Sequence, residues 1–294
     1  MNLEMLAFIL YFVLVLTIGI IFFLRTRKDG DSEKQYFLGG RQMGPWVTAL
    51  SAQASDMSAW LLMGLPGSVL AFGLGKAWIG IGLAIGTALN WIFVAKRLRK
   101  FSKAANDSIT LPEYLQNRFL AKTPVLSIIT AIVFLISFTI YVASGFVAGT
   151  TVFVSLVPSL SRETAMIIFA AVILLYTFLG GFKAVSWTDF FQGLLMLAAL
   201  MVAPIFALAL INNGGGAANV TLPDGYFNFM TSWQDIVSGL GWGLGYFGMP
   251  HILLRFMAIE DKNKIKTSRR IASVWVVISM TIAIFIGFIG NALT

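Results

Sequence analysis

The chain has no cysteine and a single histidine, His251, so its 294 residues offer neither a disulfide framework nor a thiolate or histidine-clustered metal centre. Charge is scarce as well: 12% of the residues are Asp, Glu, Lys or Arg against 58% hydrophobic, and the mean hydropathy is +0.84. That balance excludes a soluble domain and describes an integral membrane protein. No phosphate loop exists, because Gly75-Lys76 is followed by Ala77 and Leu70 stands where the first glycine is needed. No carboxylate pair marks an acid–base centre, so an enzyme is not expected and no cofactor is implied. The net charge of +8 comes from 21 basic and 13 acidic residues. The basic residues lie in short loops between apolar runs rather than in one patch, which argues against nucleic acid as a partner. No charged ring or filter-like loop suggests a channel.

Long apolar runs dominate instead. With about 20 apolar residues needed per crossing, eight spans are expected, near residues 3–24, 45–71, 77–95, 125–155, 164–182, 187–211, 234–258 and 271–292. The first reads as a retained span, with no basic segment before it and Arg25-Thr26-Arg27-Lys28 after it. Alternating the sides with the N-terminus outside puts every basic residue except Lys76 and Arg162 in the cytoplasm, as the positive-inside rule requires. Trp46, Trp78, Trp91, Trp187 and Trp233 fall at span ends, whereas Trp60 and Trp242 do not. Lys96, Arg97, Arg99, Lys100 and Lys103 read as contacts to anionic membrane lipid. Thr110 and Glu113 have capping-box spacing, which predicts a short interfacial helix through Tyr114 to Phe119. The outer connection 212–231 is polar and free of basic residues, and reads as an irregular flexible loop.

Two spans cannot be plain helices. Asp56 sits near the middle of the second, in Ser51-Ala52-Gln53-Ala54-Ser55-Asp56-Met57-Ser58, where a charge costs about 2.5–3.5 kcal/mol. That span would be roughly 39 Å as continuous helix against a core of about 30 Å. Its polar run and Gly64-Leu65-Pro66-Gly67 favour an interruption near Asp56 and a kink near Pro66. The seventh span carries Gly239, Gly241, Gly243, Gly245, Gly248 and Pro250. The two run in opposite directions five spans apart, the pattern of an inverted repeat whose leading helices are both discontinuous. Unwound backbone is tolerated in a membrane only where it lines a polar cavity or meets a ligand. Freed carbonyls suit a hard cation such as Na⁺, half-helix N-termini suit a carboxylate, and a zwitterionic solute with a cotransported ion would use both.

Ala54-Ser55-Asp56-Met57-Ser58 with Gly64-Leu65-Pro66-Gly67, Phe178-Leu179-Gly180-Gly181 with Ser186-Trp187-Thr188-Asp189, and Gly241-Trp242-Gly243-Leu244-Gly245-Tyr246-Phe247-Gly248 with Pro250-His251 closely resemble the solute:sodium symporter family. The resemblance covers essentially the whole chain. It implies an all-α leucine-transporter-type bundle in a bacterial cytoplasmic membrane: a leading helix (3–24), a first inverted repeat (45–211) and the start of a second (234–294). It implies sodium-coupled uptake of a small zwitterionic solute, L-proline foremost, by alternating access. Its cation site implies backbone oxygens at Ala54 and Met57, shaped by Asp56 and Ser58, and its substrate pocket implies Ser55, Trp60, Tyr141, Trp242, Tyr246 and Pro250. Ala59 and Met249 depart from the pattern, which has Gly and Gln there. The second repeat would need more helices, so the chain is expected to be the N-terminal part of a longer carrier, truncated after about eight spans, with the remaining cation ligands beyond Thr294.

Plainer roles compete at each position. Asp56 can serve only to hold unwound amides; Trp242 and Tyr246, four apart, can be a packing pair. Asp189 reads as a hydrated interface carboxylate, Arg255 as a snorkelling side chain and His251 as a satisfied interface residue. Gly82 with Gly86, and Gly145 with Gly149, read as close packing inside the bundle. A solute-sensing input module of a signalling protein, or a symporter for another small carboxylate or amino acid, stands as the alternative function.

Overall fold

The computed structural model describes residues 3–28, 33–216, 222 and 224–293. Almost every element is helical: α1 (Leu3–Lys28), α2 (Glu33–Leu38), α3 (Pro45–Ala59), α4 (Leu65–Phe72), α5 (Ala77–Asn90), α6 (Lys96–Ala104), α7 (Leu111–Arg118), α8 (Val125–Leu156), α9 (Arg162–Leu210), α10 (Trp233–Gly241), α11 (Pro250–Ala258) and α12 (Ile265–Gly290). Among the described residues, five stretches are long and apolar enough to cross a membrane: α1, α5 with its continuation into α6, α8, α9 and α12. The side chains of Arg25, Arg27 and Lys28, and residues 217–221 and 223 of the outer connection, lie outside the described residues.

At 49 residues α9 is too long for one crossing, and Gly181 divides it with φ 57° and ψ −161°. A Cβ there would meet the Tyr36 ring and carbonyl at 2.9 Å, so both the conformation and the space require glycine. Packing against α1 shows that the chain doubles back. Before Gly181, Phe12 meets Phe169 and Gly19 meets Tyr176, a parallel register. After it, Phe22 stacks on Trp187 and Tyr11 bonds to Gln192, an antiparallel one. The two arms correspond to the expected fifth and sixth spans. α3 with α4, and α10 with α11, are each broken into pieces too short to cross alone. The expected second and seventh spans fall on these two broken pairs.

Local chemistry explains the ends. The Thr110 hydroxyl accepts from the Glu113 amide at 3.3 Å, and the Glu113 carboxylate reaches back to the Ile109 amide at 2.8 Å, starting α7 as its sequence requires. The Ser161 and Ser232 hydroxyls accept from the Thr164 and Asp235 amides at 3.2 Å and so cap α9 and α10. Pro45, Pro66, Pro112 and Pro250 all stand in a first turn, where no amide is needed. The outer connection is better tied than its composition suggests. Tyr226 is buried, its carbonyl accepts from Leu74 at 2.8 Å, and Trp78 donates to Phe229 at 2.9 Å.

Helices cannot be driven together by water exclusion inside lipid, so close approach of small residues carries much of the packing. α5 lies against the turn Trp242–Phe247 backbone to backbone. A Cβ on Gly86 would stand 2.3 Å from the Gly243 carbonyl oxygen, and one on Gly82 would stand 2.5 Å from that of Gly239. The Gly145 position is open, with nothing within 4 Å. Gly86→Val is therefore expected to destabilise the protein by about 3 kcal/mol, the upper end for overpacking, and Gly145→Ala to stay within about 0.5 kcal/mol. Thermal unfolding in detergent followed by tryptophan fluorescence checks the contrast; equal effects would contradict it.

Candidate functional site

The two broken segments lie side by side and antiparallel. At one end the Met43 amide donates to Ala258 at 3.1 Å and the Glu260 amide to Met43 at 3.0 Å. Further in, Arg255 donates to the Ser51 hydroxyl at 2.7 Å. Deeper still, Asp56 Oδ1 is 3.6 Å from His251 Nε2. Beyond the breaks, Trp60 and Trp242 stack with ring centres 5.5 Å apart. Residue numbers rise on one side of this seam as they fall on the other, and both chains lose their helical path at the same level.

On α3 the break is at Ser58, with φ 45° and ψ −162°. A residue with a side chain is held there at a cost of about 1–3 kcal/mol, a strain that recurs at ligand sites. A π-helical turn, Trp60–Gly64, then leads into α4. On the partner segment α10 ends at Gly241, a 3-10 turn covers Trp242–Phe247, and α11 restarts at Pro250 behind an extended Met249 without a side-chain cap. The first amides of α11 thus add the positive end of a helix dipole to the seam.

Released carbonyls find specific neighbours. The Tyr141 hydroxyl, from α8, donates to Ser55 O at 2.8 Å and approaches Asp56 O at 3.4 Å. The Trp60 amide turns back to Met57 O. The Asp56 side chain is 5% exposed. The buried Tyr246 phenol lies within interaction range of Asp56 and Thr87, and Asn90 donates to the Tyr246 carbonyl at 2.8 Å. Both His251 ring nitrogens are buried without a hydrogen-bond partner among the described residues. The ring itself stacks on Tyr141 at 5.6 Å and meets the edge of Phe138 at 5.5 Å. His251 is therefore not the satisfied interface residue expected; it faces the intramembrane carboxylate.

Every residue expected at the site lies along this seam, though not in one cavity. Ala54 and Met57 are buried, Met57 fully within the core. The Ser55 hydroxyl turns to Ala52 O at 3.3 Å. Ser58, Trp60 and Tyr141 line a cavity of about 320 Å³ with Gly64 and Ser144. Trp242, half exposed, lines an outer cavity of about 360 Å³ with Lys76, Asp235 and Ser238. Pro250 and His251 line an inner apolar cavity of about 640 Å³ with Phe138 and Phe182. The stacked tryptophans separate the first two spaces, while the Asp56–His251 contact lies at the level of the breaks.

Three charged residues differ from expectation. Arg255 does not snorkel and Asp189 is not hydrated: their side chains are 7% and 10% exposed and pair at 2.6 Å, with the Ser51 hydroxyl donating to the same carboxylate oxygen at 2.7 Å. Burial between α3, α9 and α11 leaves each the other's nearest counter-charge. The signal was two opposite charges near the ends of apolar runs, at similar expected depth. Arg99 is likewise buried rather than lipid-facing, donating to the Ile259 and Glu260 carbonyls at 2.6 and 3.2 Å. Trp91 is not in an interfacial belt either; it is buried against Phe256.

The chain is 45% identical over 290 residues to the sodium/proline symporter of Escherichia coli (strain K12), covering 97% of this chain and 57% of that protein. It is also 45% identical over 284 residues to the high-affinity proline transporter of Bacillus subtilis (strain 168), covering 95% of this chain and 59% of that protein. It thus spans less than two thirds of the length of these relatives. Its fold matches that of a Na⁺-coupled sialic acid symporter solved in a substrate-bound outward-open state, with a TM-score of 0.78 and 18% identity over 96% of this chain and 59% of that one. Residues 36–294 match the sodium:solute symporter family. With both discontinuous segments, their antiparallel seam and the family's sequence pattern over most of its length, the chain belongs to the sodium:solute symporter family.

Proposed function

We propose that the protein takes part in sodium-coupled uptake of a small zwitterionic solute, L-proline foremost, by alternating access across a bacterial cytoplasmic membrane with its N-terminus outside. The observation that carries this reading is the buried Asp56 carboxylate at the level where α3 and the Trp242–Phe247 segment both leave helical geometry. A hard cation is held by backbone oxygens at Ala54 and Met57, with Asp56 supplying charge and Ser58 shaping the turn. The solute lies among Ser55, Trp60, Tyr141, Trp242, Tyr246 and Pro250. Aromatic faces suit its apolar ring, and the uncapped start of α11 suits its carboxylate. The names of the Escherichia coli and Bacillus subtilis relatives support proline as the solute. In this reading 3–24 is a leading helix, 45–211 a first inverted repeat and 234–294 the start of a second.

Equilibrium binding of radiolabelled L-proline to the protein in proteoliposomes, in Na⁺ and in choline, is the test. Coupling predicts at least about tenfold tighter binding in Na⁺, which corresponds to roughly 1.4 kcal/mol and lies within the usual range for coupled sites. Equal affinity in the two salts would remove the proposal.

A further inference from the structure

The cytoplasmic edge of the bundle has two neighbouring clefts that differ in charge. One, of about 410 Å³, sets Arg99, Lys100, Lys103 and Lys262 opposite Glu260 and Asp261, Lys262 standing on the wall it shares with the second. The other, of about 330 Å³, gathers Lys96, Lys262, Lys266 and Arg269 above Trp91 and Ile92, and no carboxylate lines it. None of these four cations forms an ion pair among the described residues. Like charges held in one cleft repel each other, so an anion entering it is favoured by all four at once.

The cleft's position narrows the kind of anion. Its walls are the π-helical turn Trp91–Ala95 leading into α6 and, far along the chain, the connection before α12 with that helix's first turn. Away from the cleft and towards the membrane centre, Ile92, Leu89 and Ile85 follow one another up one exposed face of the α5 segment. A soluble phosphate needs no such apolar path, whereas acyl chains do. We propose that this cleft binds the headgroup of an anionic glycerophospholipid, its phosphate held by Lys262, Lys266 and Arg269 and its chains lying along Ile85, Leu89 and Ile92. The occupant would also bear on the seam, because Trp91 at the cleft floor packs on Phe256 of α11 with ring centres 4.4 Å apart.

Native mass spectrometry of the delipidated protein, offered phosphatidylglycerol, phosphatidylethanolamine or glycerol 3-phosphate, tests the site. Phosphatidylglycerol should be retained in preference to phosphatidylethanolamine, and excess glycerol 3-phosphate should not displace it. The triple variant K262Q/K266Q/R269Q should lower retention by roughly 100-fold, from the usual contribution of each cation at an anionic surface. K100Q/K103Q, in the mixed-sign cleft, should leave it unchanged. Lys266 is exposed, so Lys266→Glu should keep the fold even if the triple variant fails to fold, and it should also reduce retention. Unchanged retention in Lys266→Glu, equal loss in K100Q/K103Q, no preference over phosphatidylethanolamine, or displacement by glycerol 3-phosphate would each overturn the proposal, the last by making free phosphate the ligand.

Discussion

Arg255→Met is expected to destabilise the protein by about 3–5 kcal/mol, because it leaves the Asp189 carboxylate charged and buried with only a serine hydroxyl for company. The guanidinium is a three-way tie. It donates to Asp189 at 2.6 Å, to Ser51 at 2.7 Å and to the His251 carbonyl at 2.6 Å, joining α9, α3 and α11 along one half of the seam. Its plane also lies over the Phe182 ring, 5.6 Å from the centroid. Removing one partner costs far more than the pair contributes, since desolvation is incurred without compensation. The double variant Arg255→Met with Asp189→Leu should therefore recover most of the loss. Thermal unfolding of the wild type, both single variants and the double variant forms a complete cycle. If Arg255→Met melts within about 1 kcal/mol of wild type, Asp189 is not relying on this arginine and the buried pair has been misread.

The spans were legible because hydropathy over about 20 residues is a strong signal in lipid, where each peptide group must find its partner within the segment. The broken segments were legible too: a carboxylate among serines at 51–58 and alternating glycines at 239–248 are poor material for a continuous helix, and the backbone leaves helical geometry at Ser58 and across Trp242–Phe247. Partners across the bundle were not legible. Periodicity says which face of a helix is apolar but not which helix it meets, so Arg255 and Asp189 read separately as interface residues although they neutralise each other. His251 failed for the same reason, since its ligand-free sequence neighbourhood hides Asp56 nearly two hundred positions away. The division of the expected pocket among three cavities follows from side-chain direction around the Trp60–Trp242 stack, which spacing alone cannot supply.

Asp56→Asn separates the two roles open to this carboxylate. Asparagine keeps nearly the same shape and can still bond to unwound backbone, but it carries no charge. If the carboxylate only secured the break at Ser58, the substitution would shift stability and leave the response to Na⁺ intact. If a cation rests on the backbone oxygens as proposed, opposite unit charges about 6 Å apart would attract by roughly 3 kcal/mol at an effective dielectric of about 20. Losing that attraction predicts a drop in apparent Na⁺ affinity of about 100-fold, with thermal stability changed by less than about 1 kcal/mol. The readout is the Na⁺ concentration giving half-maximal proline binding, measured beside the melting temperature of the same preparation. Asp56→Ala, which also removes the hydrogen-bonding group, should lose both. A wild-type Na⁺ response in Asp56→Asn would assign the carboxylate to the backbone break alone, and the proposed cation would then owe its place to peptide oxygens without help from this acidic side chain.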